Sequence, residues 1–165
     1  MTEERPSWDS IWLDVARTVA KKSRCSRAQM GAVIISKDQR IAATGYNGSA
    51  ATFPGEGSCI NWCERAKGTA PLDNFYDACP AIHAEANALL YVDRSRVENG
   101  TIYITSPPCI QCAKLISNSG ISRVVCEIGH EDAHRNPVTS IEYLRKCSIT
   151  IRTVDRQTGE ETTYL

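Results

Sequence analysis

The sequence has no surplus of either charge: Lys and Arg total 19, and Asp and Glu total 19. A protein that gathers a nucleic-acid backbone needs a basic field. Its absence points to a small-molecule substrate and to no nucleic-acid partner. No stretch approaches the roughly 18 consecutive apolar residues that mark a membrane span, and the polar start Met1-Thr2-Glu3-Glu4-Arg5-Pro6 has no apolar core of a secretion signal behind it. The expectation is a cytoplasmic protein with no membrane partner. Internal repeats and low-complexity segments are also missing. With 165 residues and 42% hydrophobic content, the chain can bury one sizeable core, and a single domain over residues 1–165 is expected.

Cysteine, by contrast, is plentiful. Eight cysteines in a reducing compartment point to metal ligands or free thiols rather than disulfides. Two of them stand in Pro108-Cys109-Ile110-Gln111-Cys112, and upstream lies His83-Ala84-Glu85. Zinc takes imidazole nitrogen and thiolate sulfur in a tetrahedron, and a catalytic site keeps the fourth position open for water. His83, Cys109 and Cys112 supply three ligands, and Glu85 is left as an unliganded carboxylate for general acid and base work.

Helical spacing supports this grouping. Residues 81–93 carry Ile82, Ala86, Leu89, Leu90 and Val92 on one broad apolar face, so a helix is predicted there with His83 in its first turn. A second helix is predicted over 109–119, entered through Pro107-Pro108. Taken singly, a Cys-x-x-Cys could be a redox pair or half of a structural zinc knuckle, and a lone His is more often a packed core residue. Taken together, the two motifs resemble the pattern of the zinc nucleobase deaminases, in which the Glu manages protons and does not bind metal.

The remaining periodicity predicts an amphipathic helix over 7–23 with Ser7 as its N-cap, strands over 30–35, 40–44, 101–105, 123–126 and 149–154, and a helix over 139–146. Residues 155–165 read as a polar tail with room for a short edge strand. A tight turn between the first two strands makes them antiparallel, whereas helical crossovers permit the later ones to be parallel. The fold class expected is therefore α/β: a three-layer α/β/α arrangement on a mixed five-stranded sheet.

In the order of its elements the chain resembles the cytidine deaminase-like fold, and within it the deoxycytidylate deaminases. The likeness rests on four stretches: 25–34, Gly45-Tyr46-Asn47-Gly48, 83–88 and 108–114. It implies hydrolysis of dCMP to dUMP and ammonia, in a homo-oligomer (dimer or hexamer), sometimes under dCTP and dTTP control. It also implies site roles: Asn47 at the sugar or pyrimidine edge with Gly45 and Gly48 letting the loop approach the ligand, Ser106 orienting the exocyclic amine, and Ala84 beside the substrate. Arg27 is the candidate for the 5′-phosphate. Asn47 and Gly48 equally suit a plain turn, and an exposed Arg is commonly just solvated.

Two departures from the family pattern stand out. Ser49-Ala50-Ala51 follows the Gly48 turn where a Pro two residues on is frequent, so the resemblance does not carry over the family's effector or phosphate loop, or its regulation. His130 stands where several members place a Tyr near the base; His130 and His134 also suit solvent-facing loop positions. A 5-substituted dCMP, a tRNA or other nucleic-acid substrate, and a non-catalytic zinc protein are the alternatives.

The insertion at about 47–80 has little apolar material of its own, and a loop that long in a compact domain needs something to order it. Cys59 and Cys63 lie inside it, and Cys79 and Cys25 flank its anchoring points. Four thiolates complete a closed tetrahedral site, and some deoxycytidylate deaminases are similar in carrying a second, structural zinc with a Cys matching Cys25. The Cys59 to Cys63 spacing also suits one helical turn with free thiols. Cys126 and Cys147 are expected to be small buried hydrophobes.

Overall fold

A computed structural model describes residues 5–54, 59–69, 79–129 and 137–165. In chain order it comprises α1 (Trp8–Ala20), β1 (Gly31–Ile35), β2 (Ile41–Tyr46), β3 (Gly48–Ser49), α2 (Glu64–Lys67), β4 (Ala81–Ile82), α3 (Ala84–Leu90), α4 (Arg94–Val97), β5 (Thr101–Ile104), α5 (Ile110–Ser117), β6 (Arg123–Ile128), α6 (Pro137–Lys146), β7 (Thr150–Asp155) and β8 (Glu161–Tyr164). The main sheet runs β2-β1-β5-β6-β7-β8, and β3 pairs with β4 in a separate ribbon. Strands β5, β6 and β7 are parallel, while β2, β1 and β8 join antiparallel.

Side-chain alternation along the strands builds the two faces. Ala32, Ile34, Ile102, Ile104, Val124 and Ile151 point to one side, where Ala88 of α3, Ile116 of α5 and Leu144 of α6 complete the core. Val33, Ile35, Tyr103 and Val125 point to the other and meet Trp12, Leu13 and Ala16 of α1. Helices cover both faces, so every residue of β1 is buried, as expected of a strand with no solvent side. No helix among the described residues is long and apolar enough to cross a membrane.

The three-layer α/β/α class is as expected, but the sheet has six strands and not five. The tail turns at Gly159, with φ of 73°, and returns as β8 against β7. Helix ends also shift. Ala81–Ile82 is drawn out as a strand because it pairs with Gly48–Ser49, so the helix expected from residue 81 begins at Ala84. It stops at Leu90, and the Asp93 carboxylate accepts the Ser95 N–H at 2.8 Å to start α4.

Gly45, expected to let the loop approach a ligand, has a packing role in the fold. A Cβ there would lie 2.2 Å from the Ala84 carbonyl oxygen and 2.5 Å from the Ala88 nitrogen, so the glycine lets α3 seat directly on β2. Cys126 is fully buried as expected, whereas Cys147, after the end of α6, is exposed.

Beneath α1 lies a buried ionic cluster. Asp9 accepts from Arg123 at 2.6 and 2.9 Å, from Arg152 at 2.7 Å and from the Tyr103 hydroxyl at 2.8 Å. Nearby, the buried Glu127 accepts from Arg17 and Arg156, and Arg156 also donates to the Thr105 carbonyl at 2.8 Å. Thr105 is held further by Gly31: its N–H donates to the Gly31 carbonyl and its hydroxyl accepts the Gly31 N–H, each at 3.1 Å. The end of β5 is thereby fixed immediately before Ser106.

Candidate metal centre and substrate cavity

His83 and Cys109 occupy equivalent places. Each is an extended residue capping the start of a helix, His83 for α3 and Cys109 for α5. The ribbon pairing of β4 holds His83 just outside the helix, so its ring turns toward the start of α5 rather than along its own helix. Pro107-Pro108 brings the chain into α5 so that the Cys109 sulfur accepts the Cys112 N–H at 3.5 Å, and one turn of helix places Cys112 on the same side.

His83 Nδ1 lies 3.5 Å from the Cys109 sulfur and 3.4 Å from the Cys112 sulfur. All three ligand atoms fall within 4.8 Å of one another. Ligands bound tetrahedrally at about 2.3 Å (sulfur) and 2.0–2.1 Å (nitrogen) would stand roughly 3.5 Å apart. Both the donor chemistry and the spacing therefore fit zinc.

The two thiols influence each other directly. The hydrogen bond from Cys112, helped by His83, lowers Cys109 to about 4 despite burial. The same bond, with burial and the nearby Glu85, pushes Cys112 upward. The pair therefore favours the thiolate on Cys109 over that on Cys112, and a cation favours both.

Glu85 sits in the first turn of α3 and is only 6% exposed. Burial raises its carboxyl above the ordinary range, against the opposing pull of its backbone hydrogen bond and of His83. A carboxyl so placed can hold a proton at a pH where an exposed one would not.

These groups open on a cavity of about 220 Å³. Its wall brings together His83, Glu85 and Cys109 with Arg27, Asn47 and Ser106; Ala84 also lines it. Ser106 and Ala84 are buried there, at 2% and 0% exposure. The Asn47 amide accepts the Met30 N–H at 2.8 Å and donates to the Ala28 carbonyl at 2.9 Å. Those two bonds brace the segment before β1 and use half of the amide's capacity. Arg27 is exposed and donates to the Arg65 carbonyl at 3.0 Å. His130, and His134 with it, lies outside the described residues.

Cys25, Cys59, Cys63 and Cys79 line one adjoining cavity of about 260 Å³, and Cys25 and Cys79 line both cavities. No three of their sulfur atoms lie within 4.8 Å of one another, unlike the ligand atoms of the His83, Cys109 and Cys112 group. Burial opposes ionisation of Cys59, but hydrogen bonds from the Ser26 N–H and hydroxyl and from Cys25 bring its thiol below the ordinary value. Burial raises Cys79.

Sequence reading missed Arg65, which also lines the first cavity. It lies in the insertion, where no periodic pattern exists; its one local signal is its position two residues after Cys63.

Comparison with known proteins agrees with this geometry. The family model for the cytidine and deoxycytidylate deaminase zinc-binding region matches residues 6–128. The deoxycytidylate deaminase of Mycobacterium phage D29 is 44% identical over 125 residues, covering 73% of this chain and 94% of the relative. Those of Schizosaccharomyces pombe and Saccharomyces cerevisiae are 38% and 36% identical over 79% and 90% of this chain, which spans 40% and 45% of their own lengths. Among solved structures, the dCMP deaminase of cyanophage S-TIM5 in complex with dCMP and dUMP superposes with a TM-score of 0.68 at 21% identity, over 92% of this chain and 99% of that one. This last likeness speaks for the fold.

Proposed function

The chain belongs to the cytidine and deoxycytidylate deaminase family, and on that premise we propose that it hydrolyses dCMP to dUMP and ammonia. The observation that carries the reading is the His83, Cys109 and Cys112 cluster with the buried, unliganded Glu85 in the same cavity. His83, Cys109 and Cys112 would hold a zinc ion, which would supply the Lewis acid that activates water for attack at C4 of the pyrimidine. Glu85 accepts the proton that this water gives up and delivers it to the ring nitrogen N3. It then carries the remaining proton from the new C4 hydroxyl to the amine, so that the C4–N bond breaks, ammonia leaves and C4=O forms. Its raised pKa suits both directions of transfer. Ser106, at the buried wall, orients the exocyclic amine, and Ala84 and Asn47 bound the ring and sugar. Arg27 meets the 5′-phosphate.

The test is turnover of dCMP by the zinc-loaded protein, run beside deoxycytidine, 5-substituted dCMP and tRNA. Formation of dUMP in preference to all three is expected. Activity confined to a 5-substituted dCMP would move the substrate, and activity confined to tRNA would overturn the reading.

We further propose a second, structural zinc on Cys25, Cys59, Cys63 and Cys79, supported by all four lining one cavity. Metal analysis should return near two zinc per chain; one zinc with four freely titrating thiols would exclude the second site. The enzyme is proposed to work in the cytoplasm as a single domain over 1–165 within a homo-oligomer, a dimer or hexamer. Exposed Leu90, Tyr91 and Leu115 offer apolar surface for self-association. Control by dCTP or dTTP rests on the family likeness alone.

A further inference from the structure

We propose that Arg65 is a specificity-determining residue that joins Arg27 to take the 5′-phosphate as a guanidinium pair, an assignment that rests on the deaminase reading above. Both residues line the cavity that holds His83 and Glu85, and among its described lining residues they are the Arg and Lys side chains. The two come from distant parts of the chain, Arg27 from the segment before β1 and Arg65 from α2. The Arg27 guanidinium donates to the Arg65 carbonyl at 3.0 Å, so one member of the pair holds the backbone that carries the other.

Their mount is shared as well. Cys63 caps the start of α2 and its N–H donates to the Cys59 carbonyl at 2.7 Å. The Cys59 sulfur in turn accepts the N–H of Ser26, next to Arg27, at 3.2 Å. These two bonds tie the segment that carries Arg27 to the one that carries Arg65. A guanidinium presents paired donors that match phosphate oxygens, and two of them at one wall match the two negative charges of a phosphate monoester. A nucleoside offers that wall only a hydroxyl, with no charge. The ligand class that uses the whole cavity is a nucleoside 5′-monophosphate, with the base at Glu85 and the phosphate at the arginine pair.

The test compares kcat/KM for dCMP with kcat/KM for deoxycytidine in the wild type, Arg65→Ala and Arg65→Lys. Loss of a charge-assisted contact predicts that Arg65→Ala lowers the dCMP-to-deoxycytidine ratio roughly tenfold or more, chiefly through KM for dCMP. Arg65→Lys, which keeps the charge but not the fork, should retain part of it. Calorimetric titration with dUMP and deoxyuridine should show the same change in ratio without turnover. An unchanged ratio in Arg65→Ala, or an equal fall for both substrates, would overturn the assignment. A wild type that deaminates neither substrate would instead remove the deaminase reading, and the dUMP-to-deoxyuridine affinity ratio would still judge Arg65.

Discussion

Glu85 has its proposed use because it is buried, close to three metal-binding atoms and not one of them. Replacing it with Gln keeps the shape and removes the proton carrier, so Glu85→Gln should retain zinc and fold while kcat falls by about 10²–10⁴. Turnover measured alongside metal content checks this, and a variant that kept most of its rate would reassign proton transfer. His83→Ala should lose the metal too. These residues were legible in the sequence because the chemistry is local: two short motifs, each at a helix start. Arg65 and Cys147 were not. Whether a side chain meets a cavity or solvent depends on what packs over it, and periodicity says little at a helix end or inside an insertion.

Between elements, close approach decides the geometry. Gly45 lets the α3 backbone rest on β2, and an added methyl there would meet backbone atoms that no side-chain trimming can move. Gly45→Ala should cost about 1–3 kcal/mol as overpacking, read by denaturant unfolding. Zinc affinity should weaken with it, since α3 carries His83 and Glu85 relative to Cys109. On the far side of the sheet, Arg156 lies beyond the family-model match yet secures the Thr105 carbonyl one residue before Ser106. Arg156→Ala leaves that carbonyl without this donor and should cost about 1–3 kcal/mol. It should also lower kcat with dCMP, with partial recovery in Arg156→Lys. An unchanged kcat would mean that the bridge serves stability alone.

The molecule as a whole is tied together by the ionic cluster under α1, where residues 9, 103, 123 and 152 meet from four elements. Burial alone would raise the Asp9 carboxyl, but hydrogen bonds from Arg123 and Tyr103 and the charges of Arg123 and Arg152 bring the net shift downward. Because its folded value lies below the unfolded one of about 3.9, the cluster's contribution is complete above that pH and is lost as pH falls through the depressed value. Wild-type stability should therefore fall on acidification through that window, and Asp9→Asn should show a shallower fall from a lower plateau. A parallel pH dependence in the two proteins would remove Asp9 as the cause.

Sequence by itself determined the chemistry and the class of fold. The donor types and spacing of His83, Glu85, Cys109 and Cys112 are properties of two short helix starts, and the near-continuous apolar runs of β1, β5 and β6 specify a sheet covered on both faces. Tertiary structure decided what depends on partners remote in sequence. The sixth strand exists because β7 offers it an edge, and residues 81–82 are strand rather than helix because β3 pairs with them. Arg27 and Arg65 share a wall because hydrogen bonds from Arg27 to the Arg65 carbonyl and from the Ser26 N–H to the Cys59 sulfur bring separate segments together. Each of these is a contact between residues far apart along the chain, where no local pattern can carry the information.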